Sequence, residues 1–150
     1  MNRMETLGQV LSRRCPRLEL RVNEPMSRHT TFRVGGPAAL MALPRNMAEV
    51  KAALKTAREL EIPPFFLGNG SNLLVADGGY PGFVVKLAGE FEEICFHPAP
   101  KGGTPQLTAG GGTLLSALSK TALHWGLTGL EFASGIPGSV GGAITMNAGA

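Results

Sequence analysis

The chain has 150 residues, 43% of them hydrophobic, with 14 Lys and Arg against 11 Asp and Glu for a net charge of +3. That is enough for one domain with a real core. It is a poor match to a nucleic-acid reader, because the basic residues are scattered, densest at Arg13, Arg14, Arg17 and Arg21, and no aromatic residues interleave with them. Cys15 and Cys95 lie far apart without C-x-x-C spacing, the N-terminus has no apolar signal core, and the longest apolar run, Ala38 to Leu43, is too short to span a bilayer. A cytoplasmic protein with reduced thiols and neither membrane nor nucleic-acid partner is expected.

Met4 to Leu11 reads as a short amphipathic helix ended before Pro16, and Leu18 to Val22 alternates like a strand. Asn23 to Thr31 is polar and reads as a linker, followed by Gly35-Gly36-Pro37 and an apolar strand from Ala38 to Leu43. Asn46 to Glu61 gives the clearest helix, with Asn46 as N-cap, Glu49 completing a capping box, and Met47, Val50, Leu54, Ala57 and Leu60 on one face. Phe65 to Leu67 is expected as a short buried strand running into Gly68-Asn69-Gly70-Ser71-Asn72. Leu73 to Val75 and Gly82 to Leu87 read as strands around an Asp77-Gly78-Gly79 turn, and Glu93 to His97 and Gln106 to Ala109 as two more. Thr113 is placed as the cap of a helix reaching Trp125, with Leu115, Leu118, Ala122 and Trp125 on one face and Gly126 as its stop. Strands alternating with helices predict an α/β or α+β fold in two small lobes, split near Lys86 to Glu92.

The chemistry-bearing feature is a set of glycine-rich loops at 68–72, 110–113 and 138–142, each expected after an apolar strand. Consecutive N–H groups at Gly68 to Asn72 suit a pyrophosphate, and the other two loops open helical patterns whose N-termini favour negative charge, with Ser139 as an N-cap. A branched side chain at Gly70 is expected to intrude where the backbone approaches phosphate. Known templates fail in detail. Leu73 replaces the third glycine of G-x-G-x-x-G, no G-x-x-x-x-G-K-[ST] exists, and Pro137 replaces the first glycine of G-x-S-x-G around Ser139. His29, His97 and His124 are isolated from one another and from both cysteines, so no metal site is expected.

Asn23 to Gly36, Leu67-Gly68-Asn69-Gly70-Ser71-Asn72-Leu73-Leu74, and Gly129 to Ala143 with Asn147-Ala148-Gly149-Ala150 occur in that order. Together they resemble the UDP-N-acetylenolpyruvoylglucosamine reductases, the MurB family of peptidoglycan synthesis, from about residue 20 to the chain end. The resemblance implies an FAD-binding domain of the vanillyl-alcohol-oxidase (PCMH) type: an N-terminal helix and strand at 1–22, a first FAD-binding lobe at 23–88 and a second at 89–150. It implies that Gly68, Asn69, Gly70, Ser71, Asn72 and Leu73 wrap the FAD pyrophosphate, that Gly135, Ile136, Pro137, Gly138, Ser139, Gly141 and Gly142 run along the flavin and its phosphates, and that Gly111 lies nearby. No histidine stands in Gly68 to Asn72, so non-covalent FAD is expected, with NADPH as hydride donor. In that family the proton-donating serine, a catalytic arginine and a late glutamate lie beyond the Asn-Ala-Gly-Ala segment. No catalytic residue is therefore assigned; the expectation is the front part of a longer enzyme, inactive alone, that meets its UDP-sugar substrate through a further domain. Arg28 and Arg33 are expected at the surface. Two alternatives stand beside this reading: another PCMH-type flavin oxidoreductase, and a non-catalytic nucleotide-binding module.

Overall fold

The computed structural model describes residues 2–149; Met1 and Ala150, the latter closing the Asn-Ala-Gly-Ala motif, lie outside the described residues. Four strands make the main sheet in the order β1-β2-β4-β3: β1 is Glu19–Pro25, β2 Pro37–Leu43, β3 Pro64–Leu67 and β4 Tyr80–Lys86. β1 runs antiparallel to β2, while β2 and β3 both flank β4 in parallel. A separate antiparallel ribbon pairs β5 (Ile94–His97) with β6 (Gln106–Ala109). The helices are α1 (Arg3–Arg14), α2 (Met47–Glu59), α3 (Leu115–His124) and α4 (Val140–Met146). The mixed α/β class expected from the alternation of elements is the one observed.

The main sheet is apolar on both faces, as a largely parallel sheet must be. On one face Leu40, Ala42, Phe83 and Val85 pack against Leu7 and Leu11 of α1 and Ala53 and Ala57 of α2. On the other, Met41, Leu67 and Val84 pack under Met26, with Leu73 and Val75 beside them. Alternation along β4 therefore separates Phe83 and Val85 from Val84 and, by the same period of two, puts Lys86 on the Val84 face.

Several local expectations are corrected by tertiary context. Asn46 caps α2 by accepting from the Glu49 N–H at 3.0 Å, but the Glu49 carboxylate reaches past it to the Arg45 N–H at 2.7 Å, so the reciprocal box does not close. The buried stripe of α2 is Glu49, Ala53, Thr56 and Ala57, rotated from the expected one, and Met47 is exposed. The small side chains Ala53 and Ala57 are the ones that join the cluster of Leu7, Leu11 and Phe83. Phe65 and Phe66 are exposed because β3 is an edge strand; only Leu67 of that run is buried. The expected linker from Asn23 is partly strand: β1 continues through Pro25 into a turn of 3₁₀ helix at Met26–Arg28. Leu73 to Val75 forms no strand. Thr113 does not cap α3; its hydroxyl donates to the Glu93 carbonyl, and Leu114 takes the cap position without a side-chain bond. Trp125 is half-exposed and stacks on Phe96 of β5 with centroids 4.2 Å apart, while Gly126 ends the helix at φ +65°. No helix among the described residues is long and apolar enough to cross a membrane.

Candidate functional site

The site forms where the three glycine loops meet, beyond the carboxyl end of β3, the position at which open parallel sheets bind ligands. Leu67 ends β3 opposite Lys86 of β4, and the chain leaves the sheet directly into Gly68. The loop at 110–113 and the loop at 138–142 are zipped to each other by backbone bonds. Leu115 N–H donates to Gly138 O at 2.9 Å, Val140 N–H to Thr113 O at 2.8 Å and Gly141 N–H to Gly111 O at 2.8 Å. The loop at 68–72 is pressed onto that pair: a Cβ on Gly68 would lie 2.6 Å from Ser139 Oγ, and one on Gly138 would lie 3.7 Å from Ser71 Oγ. The third loop does not follow a strand as expected; it leaves a 3₁₀ turn, Glu131–Gly135.

Ser139 is the joint of the arrangement. It is buried, and its hydroxyl caps α4 by accepting from the Gly142 N–H at 3.3 Å, as its place before a helical pattern predicts. Gly142 and Gly68 have to be small around it, since Gly68 faces both Ser139 and the Gly142 Cα. Gly111 and Gly141 are in backbone contact, which a side chain on Gly141 would force apart, because its Cβ would sit 3.0 Å from Gly111 O.

Gly70 is held from behind. It has φ +66°, and a Cβ there would lie 2.0 Å from the His29 carbonyl oxygen and 2.9 Å from Thr30 Cα. Its own carbonyl accepts from the Thr31 N–H at 3.1 Å. The 29–31 backbone therefore by itself requires glycine at this position, beside the expected approach to a phosphate. Among the described residues, the N–H groups of Asn69, Gly70, Ser71 and Asn72 donate to no backbone carbonyl. A turn whose successive N–H groups are uncommitted, seated at the end of a parallel strand, is the donor set that a phosphate group requires.

The remaining predicted residues separate. Leu73 is partly buried in the second core cluster and anchors the loop there. Asn69 is half-buried and Asn72 exposed. Gly135 and Pro137 are exposed and Ile136 is half-buried, and a Cβ on Gly135 would meet nothing within 4 Å, so close backbone approach within the chain does not explain that glycine. An apolar recess of about 280 Å³ lies beside the loop, lined by Met26, Phe65, Leu73, Leu74, Val75 and Tyr80 among others. Arg28 and Arg33 are exposed.

Behind Gly70 lies a polar chain that the sequence reading passed over. His29 is buried, its Nε2 is 2.8 Å from Glu24 Oε1, and its Nδ1 is 3.3 Å from Lys86 Nζ. A protonated Lys86 can only donate, so His29 accepts at Nδ1 and donates from Nε2 to Glu24. Arg21 donates to the same Glu24 oxygen at 3.0 Å. Burial raises the Glu24 carboxyl, but the hydrogen bonds from His29 and Arg21 outweigh it and hold Glu24 below the ordinary carboxylate range. The only sequence signal was a histidine and a glutamate inside a polar stretch, and their partner Lys86 is far along the chain.

Residues 38–150 match a family model described as an FAD binding domain. The UDP-N-acetylenolpyruvoylglucosamine reductase of Alkaliphilus oremlandii is 48% identical over 86% of this chain, and that of Agathobacter rectalis 43% identical over 97%. A crystal structure of UDP-N-acetylenolpyruvylglucosamine reductase (MurB) from Thermus caldophilus superposes with a TM-score of 0.65 at 40% identity, covering 89% of this chain. The chain spans less than half the length of these relatives: 40%, 48% and 43% respectively. The zipped loops and uncommitted N–H groups fit a cofactor that carries phosphates. The chain belongs to the family of FAD binding domains, and it corresponds to the N-terminal portion of the UDP-N-acetylenolpyruvoylglucosamine reductases.

Proposed function

We propose that this chain holds FAD non-covalently for a reductase that uses NADPH to convert UDP-N-acetylenolpyruvoylglucosamine to UDP-N-acetylmuramate. The observation that carries the reading is the convergence of three glycine loops at the end of β3 with the N–H groups of 69–72 uncommitted. In this reading Gly68 to Leu73 receive the pyrophosphate, Gly111 and Gly141 bring the second-lobe backbone close, and Gly135 to Gly142, with Ser139 capping α4, line the flavin side. FAD when bound supplies the hydride chemistry. The residues of this chain bind and orient it, and none of them is assigned a proton-transfer role. The division into 1–22, 23–88 and 89–150 belongs to the same proposal, with the two lobes meeting through Gly68 and Ser139. So does the cytoplasmic setting, where NADPH and a nucleotide-sugar are at hand. The UDP-sugar is met through the part of the relatives outside the matched region, and nucleic acid is no partner.

Titrating the chain with FAD while following the visible spectrum and flavin fluorescence tests this. Saturable binding, with all flavin released into solution on denaturation, is expected. A well-folded chain that leaves the flavin spectrum unchanged refutes it.

A further inference from the structure

Lys86 is the last residue of β4, the central strand of the parallel part of the sheet, and it sits opposite Leu67, the residue that launches the glycine loop. It shares the Val84 face of the sheet with Leu67 and His29, and it is half-buried. Among the described residues, the one hydrogen-bond partner of its ammonium is the neutral acceptor His29 Nδ1 at 3.3 Å. The ion pairs among the described residues use Arg14 and Arg21 as their cations, the neutral His29 ring donates to Glu24, and none of these contacts gives Lys86 a carboxylate. The other charges that face it are Glu92, which attracts it from outside contact distance, and Arg21, which repels it. Glu24 lies one residue further back, already shared by His29 and Arg21.

A cation half withdrawn from water with no carboxylate in contact is a cost to the fold that a structure tolerates where function needs it. His29 links this cation to the loop. Its ring holds Lys86, while its carbonyl and the Thr31 N–H form the surface on which Gly70 rests. Thus an unpaired ammonium and a row of uncommitted N–H groups flank the same residue. Both are anion-seeking, and together they match a diphosphate better than either does alone.

We propose that Lys86 supplies the counter-charge for the phosphates of the bound cofactor, with His29 and Glu24 as positioning residues that fix the ammonium beside the loop. The assignment rests on the flavin reading given above. Burial holds the Lys86 ammonium below its ordinary range, with Arg21 acting the same way and Glu92 opposing. The sign is the one expected of an incomplete site. Because the folded value is depressed, Lys86 favours the ligand-free fold only in alkaline solution, and that contribution is lost as pH falls through the folded value.

The test compares the wild-type chain with Lys86→Met and Lys86→Arg, reading FAD and riboflavin affinity together with ligand-free thermal stability. Lys86→Met should bind FAD about 10-fold or more weakly, the loss of one charge-assisted contact. Riboflavin, which has no phosphate, should bind both proteins equally, and Lys86→Arg should recover most of the FAD affinity. Without ligand, Lys86→Met should melt close to the wild type, because relief of the desolvated charge offsets the lost hydrogen bond to His29 Nδ1. A purely structural lysine gives a different pattern: FAD and riboflavin affinity falling together in Lys86→Met, alongside a lower ligand-free melting temperature, overturns the proposal. Unchanged FAD affinity in Lys86→Met, with normal binding by the wild type, overturns the role of Lys86 and leaves the flavin reading standing. A folded wild-type chain that binds no FAD overturns both.

Discussion

Replacing Gly70 by alanine tests whether the glycine loop is shaped by its backing rather than by its ligand. Three costs are readable at that position. The backbone sits at φ +66°, where an L side chain costs about 1–2 kcal/mol. The new Cβ would stand 2.0 Å from His29 O and 2.9 Å from Thr30 Cα, both backbone atoms that no rotamer change can clear. Forcing them apart is an overpacking cost of about 1–3 kcal/mol. The displacement also breaks the 3.1 Å bond from Thr31 N–H to Gly70 O, for about 1 kcal/mol more. The expected loss is about 3–6 kcal/mol, a large part of the stability of an ordinary domain. Urea unfolding followed by circular dichroism measures it, with Gly78→Ala as control, because a Cβ on Gly78 meets nothing within 4 Å and its φ is not positive. The control should stay within about 0.5 kcal/mol of the wild type. If Gly70→Ala does the same, the packing of 29–31 against the loop is wrong, and the loop's glycine must be explained by ligand contact after all.

Ser139→Ala should cost about 1 kcal/mol by uncapping α4, and amide exchange at Gly142, the hydrogen-bonded donor, should accelerate; unchanged exchange there removes Ser139 from the joint. Glu24→Gln should cost about 1–3 kcal/mol at neutral pH. Because Glu24 titrates below its ordinary 4.5 in the folded chain, its contribution is present above that value and lost as pH falls through the folded one. The difference between the two proteins should therefore shrink in acid, and a difference that grows there contradicts the network. Amides of Ala143 to Met146 should exchange with little protection in the FAD-free chain, since no residue of α4 is buried. Strong protection there shows that α4 is held by more than its cap.

What was legible in the sequence was whatever depends on neighbours along the chain. Asn46 and Ser139 cap their helices because a short polar side chain before an apolar-periodic run has few other uses, and Gly126 stops α3 for the same kind of local reason. The glycine clusters could be read because side-chain-free positions of that density at element ends mark close backbone approach. The order of strands in the sheet was not legible, and it decided the errors. Phe65 and Phe66 look like core until β3 proves to be an edge, and the buried face of α2 is fixed by α1 and the sheet together, which helix periodicity alone does not show. Thr113 has the chemistry of a cap, but the carbonyl of Glu93, brought alongside by the β5–β6 ribbon, competes successfully for its hydroxyl.

The polar chain through Glu24, His29 and Lys86 shows the same limit at the site. Each residue alone is unremarkable: a glutamate and a histidine in a polar stretch, and a lysine ending an apolar strand. Their meaning appears only when β1 and β4 are brought into one sheet and the 3₁₀ turn folds His29 over the end of β4. The three glycine loops depend on such backing as well. Gly70 rests on residues 29–31, Gly112 N–H donates to Phe91 O, and Gly141 is tied to Gly111. Glycine makes each close approach possible, but residues outside the loops fix where the N–H groups point. A substitution behind a loop should therefore disturb cofactor binding as strongly as one within it, and the comparison of Gly70→Ala with Lys86→Met separates the two: the first alters the shape of the site, and the second removes its charge together with the hydrogen bond to His29 Nδ1.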